Sequence, residues 1–88
     1  MSKRQITRAQ HTFRELLKEL RLAKEITQIQ LADRLGLPQS YVSKYETGER
    51  RLDFVETVLV CDALGVSVDE FARVFSNKLA KAGREKRG

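Results

Sequence analysis

The chain has 88 residues, one cysteine, one histidine and a formal charge of +5, enough for one domain with a single modest core. No apolar run is long enough to span a membrane and the opening MSKRQITRAQH has no hydrophobic stretch of the secretory kind, so a cytoplasmic location is expected. With only Cys61 and His11, neither an internal disulfide nor a Cys/His zinc site can form; no cofactor fingerprint or catalytic motif occurs, so no metal, cofactor or enzymatic activity is expected.

Residues 1–10 hold Lys3, Arg4 and Arg8 and no acid, and they read as a basic N-terminal arm. Thr12 with Glu15 has the form of a capping box, followed by Phe13, Leu16, Leu17 and Leu20 at helical spacing, which predicts a first helix over about 12–24. His11, just before it, reads as solvated. Thr27 with Gln30 opens a second helix, 28–35, with Leu31, Ala32 and Leu35 inward and Gly36 as its stop. Pro38 suits the first turn of a third, 39–47. Asp53 with Glu56 opens a fourth, 54–64, with Phe54, Val58, Cys61 and Leu64 on one face and Gly65 closing it. Cys61, within the run VLVCDAL, reads as a buried structural thiol. Ser67 with Glu70 opens the fifth, 68–76, with Val68, Phe71, Ala72 and Phe75 inward. Good helix formers over 77–82 allow it to continue.

No strand pattern competes, so the fold class is all-α, a compact five-helix domain over 11–76 between the N-terminal arm and a basic C-terminal tail, 77–88. The charge is divided accordingly: residues 11–76 sum to −2 and the two ends carry +7. Basic ends on a near-neutral domain fit a polyanion partner, and they fit solubilising tails equally well.

The second and third helices flank the tight turn Gly36-Leu37-Pro38, a helix-turn-helix layout. On the third, Val42 and Tyr45 are the apolar positions. Gln39, Ser40, Ser43, Lys44 and Thr47 fall on a different arc of about 140° at 100° per residue. That arc holds amides, hydroxyls and an ammonium and no carboxylate, a set able to donate to or pair with base edges. An ordinary polar surface helix is the alternative reading at this point.

The run LLKELRLAKEITQIQLADRLGLPQSYVSKYETGERRLD, followed by VETVLVCDALGVSVDEF, resembles the Cro and phage-repressor type of helix-turn-helix domain, the XRE-like family, across residues 13–75. The resemblance implies a lambda-repressor-like fold and a sequence-specific regulator of transcription, a repressor, whose partner is double-stranded DNA. It implies base contacts from Gln39, Ser40 and Lys44. Backbone contacts fall to Gln28, which also braces the first reading residue, and to Ser43, Thr47, Arg50 and Arg51. Tyr41 reaches a phosphate or a thymine methyl, or instead packs against the second helix. Arg34 is a weaker phosphate candidate. Glu46 matches an acid that pairs with an arginine of the first helix, here Arg21, and the pair would fasten the reading helix to its scaffold.

Three positions depart from the family pattern. Glu25 stands where a glycine or asparagine is usual and would be strained in a left-handed conformation. Ile29 replaces a polar residue and would be an exposed apolar contact. Pro38 replaces a serine or threonine cap. Domains of this kind act as homodimers that place two reading helices about 34 Å apart on a palindromic operator. Val55, Leu59, Val66 and Val74 are the candidate dimer surface, or else they complete the monomer core. An antitoxin or restriction-modification controller of the same fold, and a protein-interaction module with no DNA target, are the alternatives.

Overall fold

The computed structural model describes the backbone of residues 1–87 and the side chains of residues 1–83. Five helices follow in order: α1 Lys3–Ala23, α2 Gln28–Leu35, α3 Gln39–Thr47, α4 Phe54–Leu64 and α5 Val68–Arg87. No strand forms among the described residues. Three capping boxes set helix starts. At α2, Thr27 Oγ1 accepts from the Gln30 N–H at 3.0 Å and Gln30 Oε1 accepts from the Thr27 N–H at 2.9 Å. At α4, Asp53 and Glu56 make the same exchange. The third begins α1, and it is not the one the sequence suggested.

α1 is capped by Ser2 and Gln5, nine residues ahead of the expected start. The pair Thr12 and Glu15 lies in the middle of the helix, so it caps nothing. Residues 3–10 are therefore the first turns of α1 and not an extended arm. Their good helix formers let α1 propagate backwards once an acceptor is available at Ser2. α5 likewise runs past Ser76 to Arg87. The side chains of Arg84, Glu85, Lys86 and Arg87, and all of Gly88, which belong to the expected basic tail, lie outside the described residues.

The core is built from Leu16 and Leu17 of α1, Ile26 of the α1–α2 link, Leu31 and Ala32 of α2, Val42 and Tyr45 of α3, Val60, Cys61 and Leu64 of α4, and Phe71 of α5. Phe13 meets Phe71 and Phe75 edge-on, with ring centroids 5.6 and 5.7 Å apart, which seats α5 against α1. Three expected core residues, Phe54, Val58 and Ala72, are not in it, Val58 being half-buried. Phe54 is 72% exposed, because the inward stripe of α4 is Thr57, Val60, Cys61 and Leu64; the first turn overhangs the bundle. Ala72 is also exposed, on the outer side of α5. Cys61 is buried as expected, and burial pushes its thiol up to about 11, so it stays protonated at neutral pH.

Glu25 adopts φ 56, the one non-glycine residue with positive φ among those described. It turns the chain within the α1–α2 link so that the Ile26 N–H can donate to the Arg21 carbonyl at 3.1 Å. The chain accepts the left-handed strain at Glu25 to turn α2 back onto α1. Ile29 is 55% exposed, as its position suggested. Pro38 sits one residue ahead of α3 as its N-cap, with φ −65 and no side-chain cap bond.

Candidate nucleic-acid interface

α3 is held to the bundle by its buried side, which leaves its other side free. Val42 and Tyr45 are fully buried, and α3 packs against α1 and α2. Beside them Glu46 is buried and ion-paired. Arg21 Nε donates to Glu46 Oε2 at 2.7 Å, Arg21 Nη2 donates to Glu46 Oε1 at 3.0 Å, and Arg21 Nη1 donates to the Ile26 carbonyl at 2.8 Å. The side chains are 7% and 3% exposed. A two-pronged guanidinium–carboxylate pair fixes orientation as well as distance. The Glu46 hydrogen bond raises the Arg21 pKa above its ordinary value against the opposing effect of burial, so the charge is held.

The same carboxylate reaches the second helix. Gln28 Nε2 donates to Glu46 Oε1 at 2.9 Å, and Gln28 Oε1 lies 3.4 Å from Gln39 Nε2. A chain of contacts thus runs Arg21–Glu46–Gln28–Gln39, from the scaffold to the start of α3. Gln28 is half-buried and stands where a bracing residue was expected. Gln39, Ser40, Lys44 and Thr47 are exposed, and Ser43 is half-buried. Ser43 and Thr47 donate to the carbonyls of Ser40 and Lys44 within their own helix, at 3.3 and 3.1 Å. Lys44 has no acidic partner within ion-pairing distance among the described residues. The outward face of α3 therefore presents an amide, hydroxyls and an unneutralised ammonium on one rigid element.

Tyr41 is half-buried and packs on the core. Its hydroxyl donates to Glu56 Oε2 at 2.7 Å, and its ring meets Tyr45 edge-on at 6.1 Å, which ties it to the start of α4. Arg50 stacks over the Tyr41 ring, 4.8 Å from the centroid, and is ion-paired with Glu56. Half-burial and the Glu56 carboxylate push the Tyr41 hydroxyl up to about 12. Hydrogen bonds from Tyr41, Arg50 and the Asp53 N–H hold Glu56 down at about 2. This Tyr41–Glu56–Arg50 cluster was not foreseen. Glu56 was legible only as the third residue of a capping box; its second oxygen, which the box leaves free, is the one that gathers Tyr41 and Arg50. Arg51 is exposed and carries no ion pair among the described residues. Arg34 Nη1 donates to the Ala63 carbonyl at 3.0 Å, which ties α2 to the end of α4.

The candidate dimer residues divide. Val55 and Leu59 are 66% and 55% exposed on the outer side of α4, next to Phe54, and Val74 is 38% exposed on α5. Val66 is half-buried and packs on the core.

A helix-turn-helix family profile matches residues 17–71, which span α2, α3, α4 and the parts of α1 and α5 that pack on them. The chain belongs to the XRE-like helix-turn-helix family. An XRE-family like protein from Pseudomonas syringae is 40% identical, with a TM-score of 0.76 over 83% of this chain and 90% of that one. The restriction-modification controller protein C.Esp1396I, solved as a tetramer in complex with its natural 35 base-pair operator, is 26% identical, with a TM-score of 0.75 over 82% of this chain and 95% of its own. The cryptic phage CTXphi transcriptional repressor RstR of Vibrio cholerae is 39% identical over 57 residues, 65% of this chain and 51% of that protein. This chain spans about half the length of the curated relatives it matches. No helix among the described residues is long and apolar enough to cross a membrane.

Proposed function

We propose that this protein is a sequence-specific double-stranded DNA-binding regulator of transcription, a repressor, acting in the cytoplasm as a homodimer on a palindromic operator. The observation that carries the reading is the outward face of α3. It is free of carboxylates, and it is fixed by a buried ion pair and a glutamine brace that end at Gln39. Gln39 offers the paired donor and acceptor that match adenine, Lys44 a donor for guanine, and Ser40 either role. Gln28, Ser43, Thr47 and Arg51 flank this face and serve phosphates, with Arg50 contributing the N–H groups its ion pair leaves free. Tyr41 supports Arg50 rather than touching DNA. The repressor named among the relatives and the operator complex named among the structural neighbours support the same activity here.

For the dimer, the support is the exposed apolar strip Phe54, Val55 and Leu59 on α4 with Val74 on α5. Exposed apolar surface of this kind marks an interface. Two copies joined there place two α3 helices on successive turns of one duplex face.

Selecting bound sites from a random duplex pool, then measuring Gln39→Ala and Lys44→Ala on the selected site, tests the reading. Each variant should lose about 1–3 kcal/mol on the cognate duplex and relax preference at one position of each half-site. Equal weakening on cognate and random duplex would remove the base-reading roles. Sedimentation of Val55→Glu should give folded monomer and weak operator binding. A wild-type monomer that binds the operator tightly at micromolar concentration would remove the dimer.

A further inference from the structure

Between α1 and the α3–α4 loop lies a recess of about 260 Å³, separate from the outward face of α3. Arg14 enters it from α1, and Arg50 and Arg51 enter it from the loop. No Asp or Glu among the described residues lines it. Arg50 is neutralised by Glu56; Arg14 and Arg51 have no acidic partner within ion-pairing distance among the described residues. Arg14 has one weak polar contact, to His11 Nδ1 at 3.4 Å.

Two further observations make this a built site rather than a gap. Tyr45 lines the recess, and although the residue is only 1% exposed, its hydroxyl has no hydrogen-bond partner among the described residues. A buried hydroxyl without a protein partner is a donor that a bound acceptor can satisfy. Gly48, at φ 89, ends α3 on the rim. A Cβ there would lie 2.9 Å from the guanidinium carbon of Arg14. Glycine thus leaves room for the Arg14 guanidinium beside the end of α3.

Two guanidinium groups without an acidic partner, a hydroxyl donor without a protein partner and the Gln10 amide all belong to residues that line this one recess. Guanidinium groups bind carboxylates and phosphates in a two-pronged way. We propose that this recess is an oxyanion site that takes a phosphate group, from a duplex backbone or from a free phosphorylated ligand. Its duplex arm rests on the proposed function, and it adds α1 to the surface that grips DNA.

The experiment compares wild type, Arg14→Gln and Tyr45→Phe in two measurements. The first follows melting in inorganic phosphate against potassium chloride at equal ionic strength. Wild type should melt roughly 2–3 °C higher when phosphate equals its Kd, and both variants should lose the difference. The second follows random-duplex affinity against salt. If the phosphate belongs to DNA, Arg14→Gln should flatten the slope by about 0.9. That corresponds to a loss of affinity between 50 and 200 mM salt roughly 3.5-fold smaller than in wild type. A phosphate-specific shift lost in both variants with an unchanged slope keeps the site and makes its source a free ligand. No phosphate-specific shift in wild type together with an unchanged slope in Arg14→Gln overturns the inference. Failure of wild type to bind any duplex overturns the proposed function instead, and the melting arm alone then decides the recess.

Discussion

Arg21→Ala is the sharpest test of how the reading helix is held. Arg21 lies in the last turn of α1, where Ala has the better helix propensity, and losing a cation near the helix end costs only a few tenths of a kcal/mol. Any large effect must therefore come from the buried site. There the substitution removes three hydrogen bonds, at 2.7, 2.8 and 3.0 Å, and leaves the Glu46 carboxylate, 3% exposed, with Gln28 as its remaining partner. Stranding one member of a buried pair costs about 3–5 kcal/mol. A chain of 88 residues has about 4–13 kcal/mol in total, at about 0.05–0.15 per residue. With about 4–8 °C per kcal/mol for a domain of this size, the melting temperature should fall by at least roughly 12 °C. Thermal and urea unfolding measure it. The double variant Arg21→Met/Glu46→Leu removes both charges and should recover most of the loss, because an apolar pair of similar volume avoids the desolvation penalty. Even where it folds well, it lacks the carboxylate that Gln28 donates to, so discrimination between duplexes should stay poor. A fall of less than about 3 °C for Arg21→Ala would refute the buried-pair argument.

Two further expectations concern single sites. Glu56 titrates at about 2 in the folded chain against an ordinary value of 4.5, so its contribution is complete above about pH 4.5 and disappears as pH falls through about 2. The melting difference between wild type and Glu56→Gln should accordingly be constant at neutral pH and close between pH 4.5 and 2; a difference independent of pH over that range would show the Tyr41–Glu56–Arg50 cluster to be idle. Glu25→Gly relieves the left-handed strain at φ 56, worth about 1–2 kcal/mol, against about 0.5–1 kcal/mol of added chain entropy. Unfolding should then move up by a few degrees, and a lower midpoint would show that the Glu25 side chain holds the α1–α2 link.

The segment from Thr27 to Gly48 was legible because its signals are local. Thr27–Gln30 is a capping box four residues after a helix ends, Gly36 and Gly48 stand at the two stops, and Leu31, Ala32, Val42 and Tyr45 mark the buried sides. The Arg21–Glu46 pair came from resemblance, and no local rule links residues 25 positions apart. The misreadings have the same origin in reverse. Thr12 and Glu15 satisfy a capping pattern, yet a pattern cannot report whether the helix has already begun, and Ser2 with Gln5 offered an earlier start. Phe54 fits a helical apolar spacing with Val58 and Cys61, but the orientation of α4 on the bundle selects Thr57 and Val60 in its place. Tyr41 could not be placed at all without Glu56, whose free oxygen is set by α4's entry angle.

The helical start of α1 changes how its charges are to be tested. Residues 1–10 cannot be cut away as if they were a loose arm: Met1, Ile6 and Ala9 line an apolar groove with Phe13, Phe71 and Phe75, and Ser2 caps the helix. Truncation would open that groove and confound lost charge with lost folding. Lys3, Arg4 and Arg8 are exposed, so replacing all three by Gln removes charge and keeps the helix. Arg8 borders a cleft with Leu79 and Ala82 of α5, the helix that also carries Lys78 and Lys81. Among these, the described ion pairs include only Lys78 with Glu19, at 3.7 Å. Like charges gathered at one end repel, and the repulsion fades as salt shortens the screening length to about 10 Å at 0.1 M. The triple variant should thus melt slightly above wild type at low salt and equal to it at high salt. On random duplex the variant's salt slope should flatten by about 0.9 for each phosphate these side chains contact, up to about 2.7, with base preference unchanged. An unchanged slope, with the low-salt stabilisation present, would mean that the charges meet each other but not DNA. The phosphate contacts would then belong to the α3 face and its loop.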